Sequence, residues 1–161
     1  MYKRQKEILF HDLKKDKQAI QDLISESDVV IENFRPGQLE RLIGPIPTDV
    51  ILCSITGFGQ NGPRSQEPGY DLALQAMSGI MSITGEDGGG PVKVGVAWID
   101  VITGLYAGNA ILGALFKRER TGKNSHIDVS LWDCAIASLA NQGQNQITSG
   151  QNPGLLGSGH P

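Results

Sequence analysis

The sequence predicts an α/β fold built on an open, mainly parallel β-sheet, and three observations support this prediction. Helical and strand patterns alternate along the N-terminal part of the chain. The predicted strands are continuous apolar runs rich in β-branched residues, which suits strands that are covered on both faces. Turn residues, glycine above all, follow these strands. This rhythm is typical of a doubly wound sheet, and 161 residues suffice for one domain with a hydrophobic core.

The N-terminal part of the chain predicts two helices and two strands. Residues 15–27 place isoleucine and leucine at helical spacing and predict a short amphipathic helix. "DVVIENF" (28–34) predicts a buried strand, and "RPGQLERLIG" (35–44) starts with a Pro-Gly breaker and continues as a short helix. "DVILCSITGFG" (49–59) predicts a second strand that ends in a glycine-rich turn.

The rest of the chain continues this alternation after a polar loop. "YDLALQAMSGIMSITG" (70–85) predicts a helix with a face of small residues, and "VKVGVAWI" (92–99) suits either a strand or an extended segment. Residues 101–118 predict a helix whose glycines let another backbone approach closely. A third strand at 126–133 and a final helix at 134–147 follow.

Both ends of the chain lead us to expect an incomplete domain. Residues 149–161 form a glycine-rich loop with no closing element, and the N-terminal part lacks the first strand of a nucleotide-binding type of fold. We therefore expect residues 1–161 to form part of a larger domain.

Composition and spacing exclude several classes of function. With 14 basic and 17 acidic residues, the chain has no electrostatic signature for nucleic acid or an anionic membrane. No apolar stretch of membrane-spanning length is free of polar residues, and the N-terminus has no signal-peptide core. Cys53 and Cys134 are expected to be buried, reduced thiols of a cytoplasmic protein. His11, His126 and His160 have no metal-ligand companions at useful spacing, so no metal site is predicted.

The glycine-rich turn "TGFGQNGP" after the second predicted strand is not a recognised cofactor motif. It lacks the GxGxxG fingerprint of dinucleotide-binding folds and the GK[ST] of phosphate-binding loops. No G-x-S-x-G elbow is present either, so no serine nucleophile is predicted. The sequence therefore predicts no prosthetic group.

"VAWIDVITGLYAG" (96–108) places a single carboxylate, Asp100, between two apolar stretches. Aspartate is a favoured N-cap residue, and a helix that begins at Val101 would accept it in that position. Alternatively, a carboxylate at a helix N-terminus with apolar or small neighbours is placed to attack a carbonyl carbon while water is excluded. The residues alone leave both readings open.

"ENFRPG" directly follows the first predicted strand. In open α/β sheets, ligands bind beyond the carboxyl ends of the strands. Asn33 can hydrogen-bond a ligand, Phe34 can stack on a flat ring, and Arg35 or Arg41 can bind phosphate. The alternative is a plain strand-to-turn exit with two solvated arginines.

Three stretches together resemble the family III CoA-transferases, which include formyl-CoA transferase, the carnitine CoA-transferases and the succinate-dependent dicarboxylate CoA-transferases. They are "DVVIENFRPGQLERLIG", "SITGFGQNGPRSQEPGYDLALQAMSGIMSITG" and "PVKVGVAWIDVITGLYAGNAILGALFKRERTGKNSHIDVSL". The resemblance runs from about Asp12 to the end of the chain. It implies the Rossmann-like, open, mainly parallel sheet of the family's large domain and an interlocked homodimer for the full-length protein. "MYKRQ" matches nothing in the family and is interpreted as non-native.

The resemblance also implies a mechanism and a set of site residues. Asp100, in "IDVITG", matches the family's nucleophile, which forms a mixed anhydride with the acyl group of an acyl-CoA and then an aspartyl-CoA thioester. A small carboxylic acid then accepts the CoA, so acyl-CoA is a substrate. Six further positions match family site residues. Lys14 and Arg41 match contacts to the nucleotide phosphates, and Tyr70 matches a tyrosine near the nucleophile. The adenine and pantetheine contacts are matched by Asn33, Phe34 and Arg35.

Two alternatives to CoA transfer remain. Racemases of the same fold act on the α-carbon of an acyl-CoA and carry histidine where this chain has Tyr70, in "GYD"; tyrosine is a poor base near neutral pH, which favours transfer. The second alternative is a non-catalytic CoA-binding fragment in which Asp100 only caps a helix. Among the transferases, the dicarboxylate type with donors such as succinyl-CoA resembles the sequence most. The isolated 161-residue chain is expected to turn over little.

Overall fold

The computed structural model describes residues 6–159, so His160 and the N-terminal "MYKRQ" lie outside the described residues. The elements alternate between helix and strand as far as β2 and again around β3. Their bounds are α1 Lys17–Ser25, β1 Val29–Glu32, α2 Gln38–Ile43, β2 Ile51–Thr56, α3 Asp71–Met77, a 3-10 helix Ile80–Ile83, α4 Trp98–Thr121, β3 His126–Ser130, α5 Leu131–Ser138 and α6 Ala140–Ser149.

The three described strands form one parallel sheet in the order β1-β2-β3. Val29 lies opposite Ile51 in the first pair, and Leu52 lies opposite His126 in the second. Because parallel strands need long crossovers, α2 connects the first pair, and the chain from α3 to α4 connects the second. The predicted fold class, α/β with a parallel sheet, is confirmed.

Helices pack on both sides of the sheet, as the continuous apolar strands predicted. α1 and α2 cover one side through a cluster around Ile24, Ile43 and Val50. α4 and α5 cover the other through Ala107 and Cys134, which pack against strand residues including Cys53. Both cysteines are free and buried, as expected. Burial raises the pKa of both thiols, which keeps them protonated.

Several predicted boundaries are wrong, and side-chain capping explains one of them. The third strand ends at Ser130, and α5 begins at Leu131 inside the segment predicted as strand. The Ser130 hydroxyl accepts a bond from the Asp133 backbone N–H at 3.0 Å and donates to the Asp133 carboxylate at 2.6 Å. This N-cap by Ser130 starts the helix directly at the strand end. The long helix α4 begins at Trp98, earlier than the predicted Val101.

Two predicted helices are interrupted. The helix expected over 70–85 ends at Met77, and Gly79, with φ of +90°, redirects the chain into the 3-10 helix. The helix expected over 134–147 divides into α5 and α6 at Ala140, a residue with φ of +48°. The segment 92–99, predicted as a strand or an extended segment, forms no strand: its chain bends at 95–96, and its last two residues belong to α4.

One face of α4 is apolar and exposed. Its large side chains include Leu105, Leu112 and Phe116. The glycines Gly104, Gly108 and Gly113 have open space around them within the described residues, so the close backbone approach expected there is not made by this part of the chain. By length and composition alone α4 could cross a membrane, a property shared by core helices of soluble proteins.

Candidate active site

A pocket of about 250 Å³ lies where β1 and β2 end. It brings together four of the predicted site residues, which come from two distant parts of the sequence: Asn33, Phe34, Arg35 and Tyr70. This position follows from the parallel sheet, because the carboxyl ends of neighbouring strands meet at one edge.

Hydrogen bonds fix the strand exit that carries three of these residues. The Asn33 amide donates to the Ile55 carbonyl of β2 at 2.5 Å, which ties the end of β1 to the neighbouring strand. The Phe34 backbone N–H donates to the Glu32 carboxylate at 2.7 Å and closes the turn. Asn33 and Arg35 are exposed and Phe34 is half-buried, so their side chains are accessible to a ligand.

Two glycines in direct contact position Tyr70 beside this strand exit. A Cβ atom added to Gly57 would lie 2.5 Å from the Gly69 nitrogen and 2.7 Å from its Cα. No real side chain tolerates such contacts, so the backbone after β2 and the backbone before Tyr70 touch only because both residues are glycine. The Gly57 carbonyl also accepts a bond from the Trp132 N–H at 3.0 Å, which holds this backbone against α5. Sequence reasoning missed this contact.

We expect Gly57→Ala to destabilise the protein and to open the pocket. Overpacking of this kind costs about 1–3 kcal/mol, and here it must push the loop that carries Tyr70 away from β2. Chemical denaturation measures the free energy of unfolding, and Gly90→Ala is the matched control, because a Cβ at Gly90 meets no atom within 4 Å. Equal stability of the two variants would contradict the close contact.

Asp100 lies in the first turn of α4 and is not its N-cap. The N-cap is Ala97, whose side chain cannot cap the helix, so the predicted capping role is wrong. The residue as a whole is exposed, yet nearby atoms shield part of the carboxyl group. This partial burial, and to a lesser extent the negative charge of Asp71, raises the pKa of Asp100 above the ordinary aspartate value.

Asp71 supplies the cap that Ala97 cannot. One oxygen of its carboxylate accepts hydrogen bonds from the backbone N–H groups of Ile99, at 2.7 Å, and Asp100, at 3.3 Å. Its other oxygen accepts a bond from the Gln75 amide at 2.7 Å. Asp71 directly follows Tyr70 in the chain and begins α3. Asp100 does not line the pocket, but Tyr70 does. Because Asp71 is the neighbour of Tyr70 in the chain, its carboxylate links the Asp100 backbone to the edge of the pocket.

The sequence profile of CoA-transferase family III matches residues 1–161, which include the N-terminal "MYKRQ", so the expectation that these residues match nothing in the family is wrong. The chain belongs to this family. It is 46% identical over 151 residues to the succinate–glutarate CoA-transferase of Agrobacterium fabrum, with 88% of this chain and 37% of that protein covered. It is 40% identical over 147 residues to the human succinyl-CoA:glutarate CoA-transferase, with 88% of this chain and 34% of that protein covered.

Solved structures of proteins similar to this chain share the fold. A CAIB/BAIF family protein from Brucella suis superposes with a TM-score of 0.87 at 44% identity, covering 93% of this chain and 42% of that one. Rv3272 from Mycobacterium tuberculosis gives a TM-score of 0.77 at 32% identity, covering 86% of this chain and 41% of that one. The chain thus spans well under half the length of these relatives.

Two predicted phosphate contacts do not line the pocket. Lys14 lies in an exposed turn before α1, and its backbone N–H donates to the Asp12 carboxylate at 2.9 Å. Arg41 is exposed on α2. Neither is among the described residues around the pocket, so their predicted roles remain predictions.

Sequence reasoning also overlooked a cation beside the pocket. The Arg64 guanidinium stacks on the Phe58 ring at 4.1 Å and forms an ion pair with Glu67 at 2.7 Å. Glu67 lines the pocket, and the hydrogen bond from Arg64 lowers the pKa of its carboxyl group. The i,i+3 spacing of opposite charges in "RSQE" was the available signal. Both residues of this pair lie in the loop that leads to Gly69.

Proposed function

We propose that the complete gene product carrying this sequence transfers CoA from an acyl-CoA to a carboxylic acid, with Asp100 as nucleophile. The observation that carries the proposal is the Asp71 carboxylate, which links the Asp100 backbone to the edge of the pocket formed by Asn33, Phe34, Arg35 and Tyr70. The family membership of the chain supports the same reaction class.

The proposed reaction conserves the energy of the thioester bond. The Asp100 carboxylate attacks the acyl carbon, and the carbon–sulfur bond breaks. CoA departs as the thiolate, and a mixed anhydride remains on Asp100. The thiolate then attacks the Asp100 carbonyl carbon, which releases the donor acid and forms an aspartyl-CoA thioester. An acceptor carboxylate attacks this thioester to give a second anhydride, and the thiolate takes the acceptor acyl group and restores Asp100.

The pocket residues suit a CoA thioester as the bound molecule. Phe34 offers a ring on which a flat group such as adenine stacks. Arg35 offers a planar guanidinium that can pair with phosphate oxygens in bidentate geometry. Lys14 and Arg41 complete the proposed phosphate contacts. Relatives named for succinyl-CoA and glutarate point to dicarboxylates as donor and acceptor acids. A homodimer and a cytoplasmic location also belong to the proposal.

Chemical trapping of the intermediate tests the proposal. The complete gene product is incubated with succinyl-CoA and hydroxylamine, which attacks an aspartyl thioester and leaves a hydroxamate on the protein. Peptide mass spectrometry is expected to find this modification on Asp100 and not on Asp133, a comparable aspartate in the first turn of α5. Modification elsewhere, or exchange of deuterium into the α-position without an acceptor acid, would contradict CoA transfer through Asp100.

We expect the activity to have an acidic limit set by Asp100. The attacking form is the carboxylate, and the pKa of Asp100 is raised, so protonation removes the nucleophile at a higher pH than for an ordinary aspartate. Activity is therefore full above the raised pKa and is lost as the pH falls through it. The measurement is kcat/KM for succinyl-CoA against pH, which reports ionisations of the free enzyme. An acidic limb below the usual pKa of aspartate would contradict this assignment.

A further inference from the structure

Gln75 is a fully buried polar residue in α3, with 0% of its surface exposed. Burying an amide is unfavourable unless its donors and acceptor all find partners. The Gln75 oxygen accepts a bond from the Val94 N–H at 2.8 Å. Its nitrogen donates to the Asp71 carboxylate at 2.7 Å and to the Val96 carbonyl at 3.3 Å. The amide is therefore satisfied on both sides without water.

These partners fix the orientation of the Gln75 amide. Turning it over would point its nitrogen at the Val94 N–H and its oxygen at the Asp71 carboxylate. A donor would then face a donor, and an acceptor would face an acceptor. In this orientation the Gln75 amide holds one oxygen of the Asp71 carboxylate, and the other oxygen accepts the N–H groups of Ile99 and Asp100. The same amide holds the backbone at 94–96, which leads into α4.

We propose that Gln75 is a positioning residue for CoA transfer, which sets where the Asp100 carboxylate stands by holding Asp71 and the backbone at 94–96. The inference rests on the proposed function of Asp100. The first turn of α4 has no side-chain cap from its own N-cap residue, Ala97. Its placement therefore depends on the contacts that Asp71 and Gln75 provide from α3. A nucleophile displaced by about 1 Å loses about 100-fold in rate, so such contacts control catalysis without touching the substrate.

The test compares Gln75→Leu with Gln21→Leu in the complete gene product, with succinyl-CoA as donor and glutarate as acceptor. Gln21 is the matched control, because its amide also donates to a backbone carbonyl of another element, that of Ile43 at 2.7 Å. This bond joins α1 to α2 and does not involve α3 or α4. For Gln75→Leu we expect kcat to fall about 10-fold to 100-fold, with KM for succinyl-CoA within about twofold. Gln21→Leu should lower thermal stability without this fall in kcat.

Gln75→Glu provides a second variant that keeps the shape of the side chain. A buried carboxyl beside Asp71 has a raised pKa, because both burial and the neighbouring negative charge disfavour its ionised form. While protonated it donates to Asp71 as the amide does, and once ionised it cannot. We therefore expect kcat relative to the wild type to fall as pH rises, with the fold retained by circular dichroism. This variant decides the question if Gln75→Leu does not fold.

The outcomes separate this inference from the proposed function. Wild-type kcat in folded Gln75→Leu, or a ratio for Gln75→Glu that does not change with pH, would overturn the positioning role of Gln75. So would an equal loss of kcat in Gln21→Leu. If Asp100→Asn is inactive in the same assay, these results do not affect the assignment of Asp100 as nucleophile. An active Asp100→Asn variant would instead overturn the proposed function itself.

Discussion

Replacing Asp100 by asparagine is expected to abolish CoA transfer, with kcat reduced by about 10⁴-fold or more, as is usual when an enzyme's nucleophile is removed. Asparagine matches aspartate in size, and Asp100 lies on an exposed part of the first turn of α4. The variant therefore keeps the fold and loses only the negative oxygen that forms the anhydride. Exchange of CoA between succinyl-CoA and labelled succinate, followed by chromatography, measures the loss.

Asp133→Asn is the control for the Asp100 substitution. Asp133 also lies in the first turn of a helix, α5, where it pairs with the Ser130 hydroxyl. It lies outside the pocket, so we expect near-normal transfer. Asp100→Ala should be measured alongside Asp100→Asn, since it excludes activity recovered by deamidation. Exchange at the wild-type rate in both Asp100 variants would eliminate this residue as the nucleophile.

Removing the Asp71 side chain is expected to have the second-largest effect. In Asp71→Ala the backbone N–H groups of Ile99 and Asp100 lose their acceptor, and the Gln75 amide loses one of its partners. We expect kcat to fall about 10-fold to 100-fold because the nucleophile is no longer held in place. Loss of the helix cap should also reduce the free energy of unfolding by about 1 kcal/mol.

Asp71→Asn separates the charge of Asp71 from its capping role. The amide oxygen can still accept the N–H groups of α4, but the amide nitrogen takes the place of the oxygen that accepts from Gln75. That bond is lost together with the negative charge that helps to raise the pKa of Asp100. The acidic limb of kcat/KM should therefore move to lower pH, because Asp100 stays ionised further into acid. Ser130→Ala, which removes the cap of α5 from Asp133, controls for the loss of a helix cap. A pH profile that does not move would show that Asp71 exerts no electrostatic effect on Asp100.

The fold could be predicted because its signals are local. Continuous β-branched runs predicted all three described strands, and helical spacing predicted the helices between them. The segment 126–133 was assigned wholly to a strand because its apolar residues continue past Ser130. The S-x-x-D pattern of a capping box was present in that segment and would have corrected the boundary.

The site was predicted less completely, because its main contacts join residues far apart in sequence. Local rules allow Asp100 to cap the helix, since aspartate is a good cap and the apolar helix follows it. The actual cap comes from Asp71, 29 residues earlier, and no local pattern reveals such a contact. The same holds for Gly57 and Gly69, whose approach depends on the path of the loop between them.

The abutting glycines also limit how the specificity of this pocket can be altered. Where Gly57 meets Gly69, the wall consists of bare main chain, so there is no side chain to enlarge, shrink or charge. Changes in what this pocket binds must therefore come from the side chains around it, such as Phe34, Arg35 and Tyr70.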